Sequence, residues 1–263
     1  IKTGFNDAFI IDSQTRDEIL SKCTCEYERV RTTEIIRPIL RGRDIKRYSY
    51  QYAGLYLIST FPAKGYDIDD YPAVKDYLLK FGIERLEQTG KEYIINGERV
   101  KARKKTSNKW YETQDSISYW DLLSQPKIIW GEISDKSKFC IDLHGRYVPE
   151  ATTFMLSGEN LIYLLAFLNC SVSEYLFSII GTTTGVGTEK KKKYKILELP
   201  VPKSIPNDLY SQLLEVCSQT IESSDNDSNE SKINSIIYQV YGLSEDEIEF
   251  IESRIYPSKH SSL

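Results

Sequence analysis

Three stretches of this chain gather residues that bind anions. Residues 37–48 read Arg-Pro-Ile-Leu-Arg-Gly-Arg-Asp-Ile-Lys-Arg-Tyr, with five cations and one anion. Cations held so close repel one another, which predicts a local polyanion partner. The arginine fork takes guanine O6 and N7 together, or two phosphate oxygens. Gly42 predicts a backbone free to bend and to approach a duplex closely. Residues 99–109 hold Arg99, Lys101, Arg103, Lys104, Lys105 and Lys109 without an acid. Thr106, Ser107 and Asn108 add short polar groups, and Trp110 and Tyr111 follow. Cations for phosphate beside small groups for base edges make a recognition loop. Residues 181–195 open with glycines and threonines and continue into five lysines, a composition that cradles phosphate on backbone N–H groups. The competing reading of all three is an exposed corner with paired arginines followed by solvated basic loops.

Other chemistries find no residues to carry them. Gly187 is followed by Thr188, so the GxxxxGK[ST] phosphate loop is missing and no nucleotide site is expected. Glu189-Lys190-Lys191 has an ExK shape, but no Pro-Asp accompanies it, so no metal-dependent nuclease centre is expected. His144 sits in Leu143-His144-Gly145-Arg146, a hairpin-like turn, and reads as a surface histidine. No nucleophile elbow is present. Cys23, Cys25, Cys140, Cys170 and Cys217 form no CxxC pair and are odd in number. They are expected as thiols of a reducing cytoplasm, not as a disulfide framework or a zinc site. No catalytic residue, metal or cofactor site is therefore expected in the chain.

The elements that must position these strips alternate between strand and helix patterns. Apolar strands are expected at 9–11, 55–61, 127–133, 138–143, 152–156 and 197–202. Residues 71–81 have a helical pattern with Pro72 in the first turn. Asn96-Gly97 between short apolar runs predicts a hairpin over 92–100. Leu161, Leu164, Leu165 and Leu168 share one face of a helix at 160–169, and Ile162 and Phe167 the other, so that helix is expected to be buried. Towards the C-terminus, Leu213, Leu214, Cys217 and Ile221 line one helix face. Residues 223–231 are expected as a polar loop. Ile233, Ile236, Ile237, Val240 and Tyr241 make a strongly amphipathic helix that Gly242 stops. Ser244 and Glu247 form a capping box for the next helix.

The fold class expected is α+β: a mixed α/β domain over 1–206 and an acidic helical appendage over 207–263. Net charge is −4 over the chain, yet residues 207–263 carry eleven acids against three bases, leaving the first 206 residues basic. An acidic helical bundle is repelled by phosphates, so it should pack on the domain or on a partner protein, away from nucleic acid. No apolar run reaches the ~20 residues of a membrane span and no signal peptide is present, so a cytoplasmic location is expected. The chain begins at Ile1 and its one methionine is Met155, the pattern of an excised fragment.

Five strings, in order, carry a family resemblance. They are residues 1–12, Arg41-Gly42-Arg43-Asp44-Ile45, residues 126–133 (Pro-Lys-Ile-Ile-Trp-Gly-Glu-Ile), Leu164-Leu165-Ala166-Phe167-Leu168-Asn169, and residues 241–248 at the closing helix. Together they resemble the C-terminal specificity domain of TaqI-like type II restriction-modification methyltransferases. Similarity to type I specificity-subunit recognition domains is looser. The resemblance implies sequence-specific recognition of double-stranded DNA. An N-terminal methyltransferase domain of the same parent chain would flip and methylate an adenine at N6, with S-adenosylmethionine bound in that upstream domain. Neither its Asn-Pro-Pro-Tyr-type motif nor its glycine-rich cofactor loop occurs here. The base readers expected are Arg41, Arg43, Arg103, Lys105 and Asn108. The phosphate holders expected are Lys46, Arg47, Lys101, Lys104, Thr183, Lys191 and Lys192. Two other readings stay open: a protein-interaction module docking a methyltransferase or restriction subunit through its acidic tail, and a stand-alone nuclease.

Overall fold

The strands of the computed structural model are, in chain order, β1 Ile10–Asp12, β2 Ile36–Leu40, β3 Leu55–Ile58, β4 Glu92–Ile95, β5 Glu98–Lys101, β6 Lys127–Gly131, β7 Ile133–Ser134, β8 Phe139–Asp142, β9 Val148–Pro149, β10 Thr153–Ser157, β11 Thr182–Thr183 and β12 Glu189–Lys190. The helices are α1 Asn6–Phe9, α2 Ser13–Ser21, α3 Glu26–Ile35, α4 Pro72–Leu79, α5 Ile83–Leu86, α6 Leu161–Asn169, α7 Ser171–Ile180, α8 Lys193–Ile196, α9 Asn207–Glu222, α10 Asp227–Tyr241 and α11 Glu245–Ile255. The structure describes all residues except 135, 181, 184–188, 191–192, 224–226 and 257–263. The fold is α+β.

Contacts divide the chain into two units, and the division does not fall at the expected 206/207 boundary. Unit 1 comprises Ile1–Leu40, Tyr52–Gln125 and Gly145–Ala151, and unit 2 comprises Arg41–Gln51, Pro126–His144 and Thr152–Leu263. The helices past residue 206 are part of unit 2 because their apolar faces are spent inside it.

In unit 1 a sheet runs in the order β1-β3-β2-β9, antiparallel except for the parallel β2–β9 pair. Strand β2 changes partner after Pro38: Ile36–Pro38 pair with β3, and Ile39 and Leu40 pair with β9. Helix α4 begins at Pro72, whose missing N–H costs nothing in a first turn. The Ala73 N–H behind it donates to the buried Glu28 carboxylate of α3 at 3.1 Å. The β4–β5 hairpin turns at Asn96 and Gly97, with φ of +51° and +84°, the left-handed pair that a two-residue hairpin turn requires.

In unit 2 the sheet order is β10-β6-β8, all antiparallel. Its central strand, Lys-Ile-Ile-Trp-Gly, is buried at every position. The register sets Lys127 opposite Asp142, and their buried side chains form an ion pair at 2.8 Å. Helix α6 is apolar nearly all round, which only a buried helix tolerates. It shares one core with Leu213 and Cys217 of α9, Ile233, Ile236 and Ile237 of α10, and Ile251 of α11. Ser244 caps α11 as its sequence predicts: its N–H donates to Glu247 Oε2 at 2.8 Å, and the Glu247 N–H donates back to the hydroxyl at 3.4 Å. A short sheet in the order β11-β12-β7 completes the unit.

Two expected elements differ. Residues 197–202 form no strand: they follow α8 as a turn, because Pro200 and Pro202 lack the N–H groups a ladder needs. Of the polar loop expected at 223–231, residues 227–231 are the first turns of α10. Asp227 and Glu230 there face the positive end of the helix dipole, which favours acids.

Candidate nucleic-acid interface

The Arg-Gly-Arg-Asp string lies in unit 2 as a tight, self-bonded turn. After Arg41 the backbone makes one 3-10 turn at Gly42–Asp44. Arg41 grips Asp44 with its fork, Nε to Oδ2 at 2.9 Å and Nη2 to Oδ1 at 2.7 Å, while its own N–H donates to Oδ2 at 3.0 Å. Burial pushes the Asp44 carboxyl up, but the Arg41 bonds and charge outweigh it and hold it below the ordinary carboxylate range. The chain then folds back. Lys46 N–H donates to Ser49 O at 2.9 Å, Gln51 N–H to Asp44 O at 2.7 Å, and Ile45 bridges Tyr50. Tyr48 buries its ring at a φ of +60°, a conformation that costs a non-glycine residue about 1–3 kcal/mol and persists only where its surroundings over-determine it. Arg43 and Lys46 are the exposed cations of this turn. Among the described residues no hydrogen bond or ion pair engages either side chain.

Three expectations for this turn are corrected. The Arg41 edge that would take a guanine is occupied by Asp44, so Arg41 shapes the turn. Gly42 makes its close approach to protein: a Cβ built there would stand 3.6 Å from the Gly131 Cα at the end of β6. Arg47 turns inward. It pairs with Glu174 of α7 at 3.1 Å and Glu230 of α10 at 2.8 Å, and donates to the Asn169 carbonyl at 2.6 Å. Withdrawing that charge from two largely covered carboxylates, 12% and 22% exposed, costs several kcal/mol, more than an exposed phosphate contact returns. Arg47 is therefore a clamp on α7 and α10, not a phosphate holder. Asn169 extends the knot, exchanging two hydrogen bonds with the Phe139 backbone at 3.0 and 2.9 Å.

The second basic strip lies in unit 1, and Arg103 is its internal staple. Arg103 is buried, with 4 % of the residue exposed. It donates to the carbonyls of Leu86, Thr3 and Glu112 at 2.7 Å each and of Trp110 at 2.6 Å, and it lies 4.9 Å from the centre of the Phe9 ring. Burial brings its pKa down to about 10, against the charge of Glu112, so it stays a cation at neutral pH. Charged hydrogen bonds of about 1.5–3 kcal/mol each offset a desolvation cost of several kcal/mol. Arg103 cannot reach a base and is corrected from reader to staple. Asn108 is corrected too: its Nδ2 donates to Thr113 O at 3.2 Å and Gln114 O at 3.1 Å. Buried Gln88 ties the same loop, donating to Glu112 O at 3.0 Å and accepting from Thr106 Oγ1 at 2.8 Å.

That stapling leaves the lysines outside. Ala102 and Arg103 point in, and Lys101, Lys104 and Lys105 are exposed. Among the described residues none of the three lysine side chains has a hydrogen-bond or ion-pair partner. The loop can thus hold point charges on a fixed backbone, the chemistry of a phosphate contact. Of the third strip, Thr183 contributes backbone to β11, while its side chain, Lys191 and Lys192 lie outside the described residues.

The remaining groups singled out in the sequence are His144 and the cysteines, of which Cys25 is exposed. His144 is exposed. Cys140, Cys170 and Cys217 are buried, and burial pushes the thiols of Cys140 and Cys217 up to about 12. No single helix among the described residues is long and apolar enough to cross a membrane.

Comparison with known proteins gives this geometry a context. The sequence model described as a TaqI-like C-terminal specificity domain matches residues 37–201, a span that holds the turn, the lysine loop and the β10-β6-β8 sheet. A curated relative, the type II methyltransferase M.BstVI of Geobacillus stearothermophilus, is 25% identical over 260 residues, which is 97% of this chain. The chain spans 40% of that relative's length. A solved structure, from the characterization of the type IIG restriction endonuclease BpuSI, aligns over 79% of this chain and 26% of its own, at a TM-score of 0.43 and 12% identity.

Proposed function

The chain belongs to the TaqI-like C-terminal specificity domain family, and on that premise we propose that it recognises a specific sequence in double-stranded DNA as the non-catalytic part of a restriction-modification methyltransferase. The observation that carries the reading is the family match over residues 37–201, which enclose the exposed Arg43 and Lys46 on one stapled backbone and the exposed Lys101, Lys104 and Lys105 on another. Arg43 and Lys105 are the base readers. Lys46, Lys101 and Lys104 hold phosphates. Thr183, Lys191 and Lys192 add phosphate contacts from the third strip.

The partner in this reading is a methyltransferase domain on the N-terminal side, which extrudes an adenine from the duplex and methylates it at N6. S-adenosylmethionine supplies the methyl group there. The residues of this chain offer no Asn-Pro-Pro-Tyr string and no glycine-rich cofactor loop, so no step of methyl transfer is assigned to them.

Duplex binding by the full-length protein, followed by fluorescence anisotropy across salt, tests the reading. Four or more phosphate contacts give a log–log slope of about −4 or steeper. Absence of binding at low salt would contradict the reading.

A further inference from the structure

The geometry points to Arg41 and Asp44 as positioning residues that fix the base preference of Arg43 without touching DNA; this rests on the reading of Arg43 given above. Three observations lead there. Arg41 spends its fork on Asp44 at 2.9 and 2.7 Å instead of presenting it outward. Asp44 also receives the Arg41 N–H at 3.0 Å, and its own N–H bonds back to Arg41 O at 2.9 Å, so four bonds close a ring around Gly42 and Arg43. The neighbour across that ring is Gly131, where a Cβ would meet the Gly42 Cα at 3.3 Å. Arg43 is therefore the exposed member of a turn locked from inside and seated from behind.

A bidentate contact to one base pair needs its donors within a fraction of an ångström of their acceptors. A lone exposed arginine on a loose loop serves phosphate as well as base. The ring restricts where the Arg43 Cα can stand, which converts a general cation into a selective one. Arginine is needed at 41 because lysine has one point charge and no fork.

The test is selection from a randomised duplex library with the full-length protein and its Arg43→Ala, Asp44→Asn and Arg41→Lys variants, with melting temperature and salt slope measured on each. Arg43→Ala is expected to flatten the preference at one base pair by roughly tenfold or more. Asp44→Asn and Arg41→Lys are expected to flatten that same base pair, with overall affinity kept and the salt slope unchanged or steeper. Arg41→Lys keeps the charge and carries the test if Asp44→Asn fails to fold. Wild-type preference in both Asp44→Asn and Arg41→Lys, alongside a flattened Arg43→Ala, would overturn the positioning role and leave the DNA reading intact. Equal weakening of every sequence in Asp44→Asn and Arg41→Lys would also overturn it, since that marks a purely structural loss. An unchanged preference in Arg43→Ala would overturn the assignment of Arg43 and the inference with it.

Discussion

Gly131, at the end of β6, stands so close to Gly42 that a Cβ on it would lie 3.3 Å from the Gly42 Cα. The contact is backbone on backbone, so neither side can swing away as a flexible side chain would. Gly131→Ala should push the Arg-Gly-Arg-Asp turn off its seat and lower stability by about 1–3 kcal/mol, the range of overpacked sites. Denaturant unfolding measures the loss, and a change below ~0.5 kcal/mol would show that the seat is not tight.

Arg47 and Lys46 are neighbours in sequence with opposite tasks. Arg47→Ala leaves the half-buried Glu174 and Glu230 carboxylates without their shared cation, and is expected to cost about 3 kcal/mol of stability. Lys46→Ala should leave stability within ~0.5 kcal/mol and reduce the magnitude of the salt slope of DNA binding by about 0.9. The two measurements together separate clamp from contact, and the reverse pattern would refute both assignments.

Arg103 and Lys104 divide the same way in unit 1. Arg103→Met takes the donor from the carbonyls of Leu86, Thr3 and Trp110, while the Glu112 carbonyl keeps Gln88, and with about 1–3 kcal/mol per unsatisfied buried group the loss should exceed ~3 kcal/mol. Lys104→Ala and Lys105→Ala should keep the fold and weaken duplex binding. Urea melts alongside anisotropy provide the check.

Stability should fall with acid through Glu28. Its carboxylate accepts from the Thr24 N–H and hydroxyl at 2.8 Å each and from the Ala73 N–H at 3.1 Å. Burial pushes its pKa up, but those bonds win and set it below the ordinary glutamate value. A folded pKa lower than the unfolded one adds stability that is complete above the ordinary value of about 4.3 and is lost as pH falls towards the lower one. The stability gap between the wild type and Glu28→Gln should therefore narrow as pH drops through that window. A gap that stays constant would mean Glu28 is not titrating against its bonds.

Much of the scaffold was legible in the sequence because its signals are local. Asn96-Gly97 dictates its hairpin, Pro72 opens α4, Ser244 and Glu247 cap α11, and the all-apolar α6 can only be a core helix. Helices α2 and α3 were missed because residues 13–35 are too polar to give a 3.6-residue apolar stripe. A signal did exist in Asp12, whose side chain caps α2 by accepting from Thr15 N–H at 2.8 Å. The basic strips were visible, but the sorting of their members was not. Arg41, Arg47, Arg103 and Asn108 look no different in sequence from Arg43 and Lys104. Which cations turn inward depends on carboxylates and carbonyls far away in the chain: Glu230 lies 183 positions from Arg47, and the Thr3 carbonyl that Arg103 takes lies 100 positions away. Arginine's many donors suit it for either task, whereas the lysines of the loop all stay in solvent.

The most direct test of the central claim is enrichment of a randomised duplex library on the full-length protein at physiological salt, followed by sequencing. A single recognition sequence should emerge and bind about a thousandfold or more tighter than unrelated duplex. A pool that remains random after repeated rounds, with binding that depends on salt but not on sequence, would contradict sequence-specific recognition and leave only a basic surface.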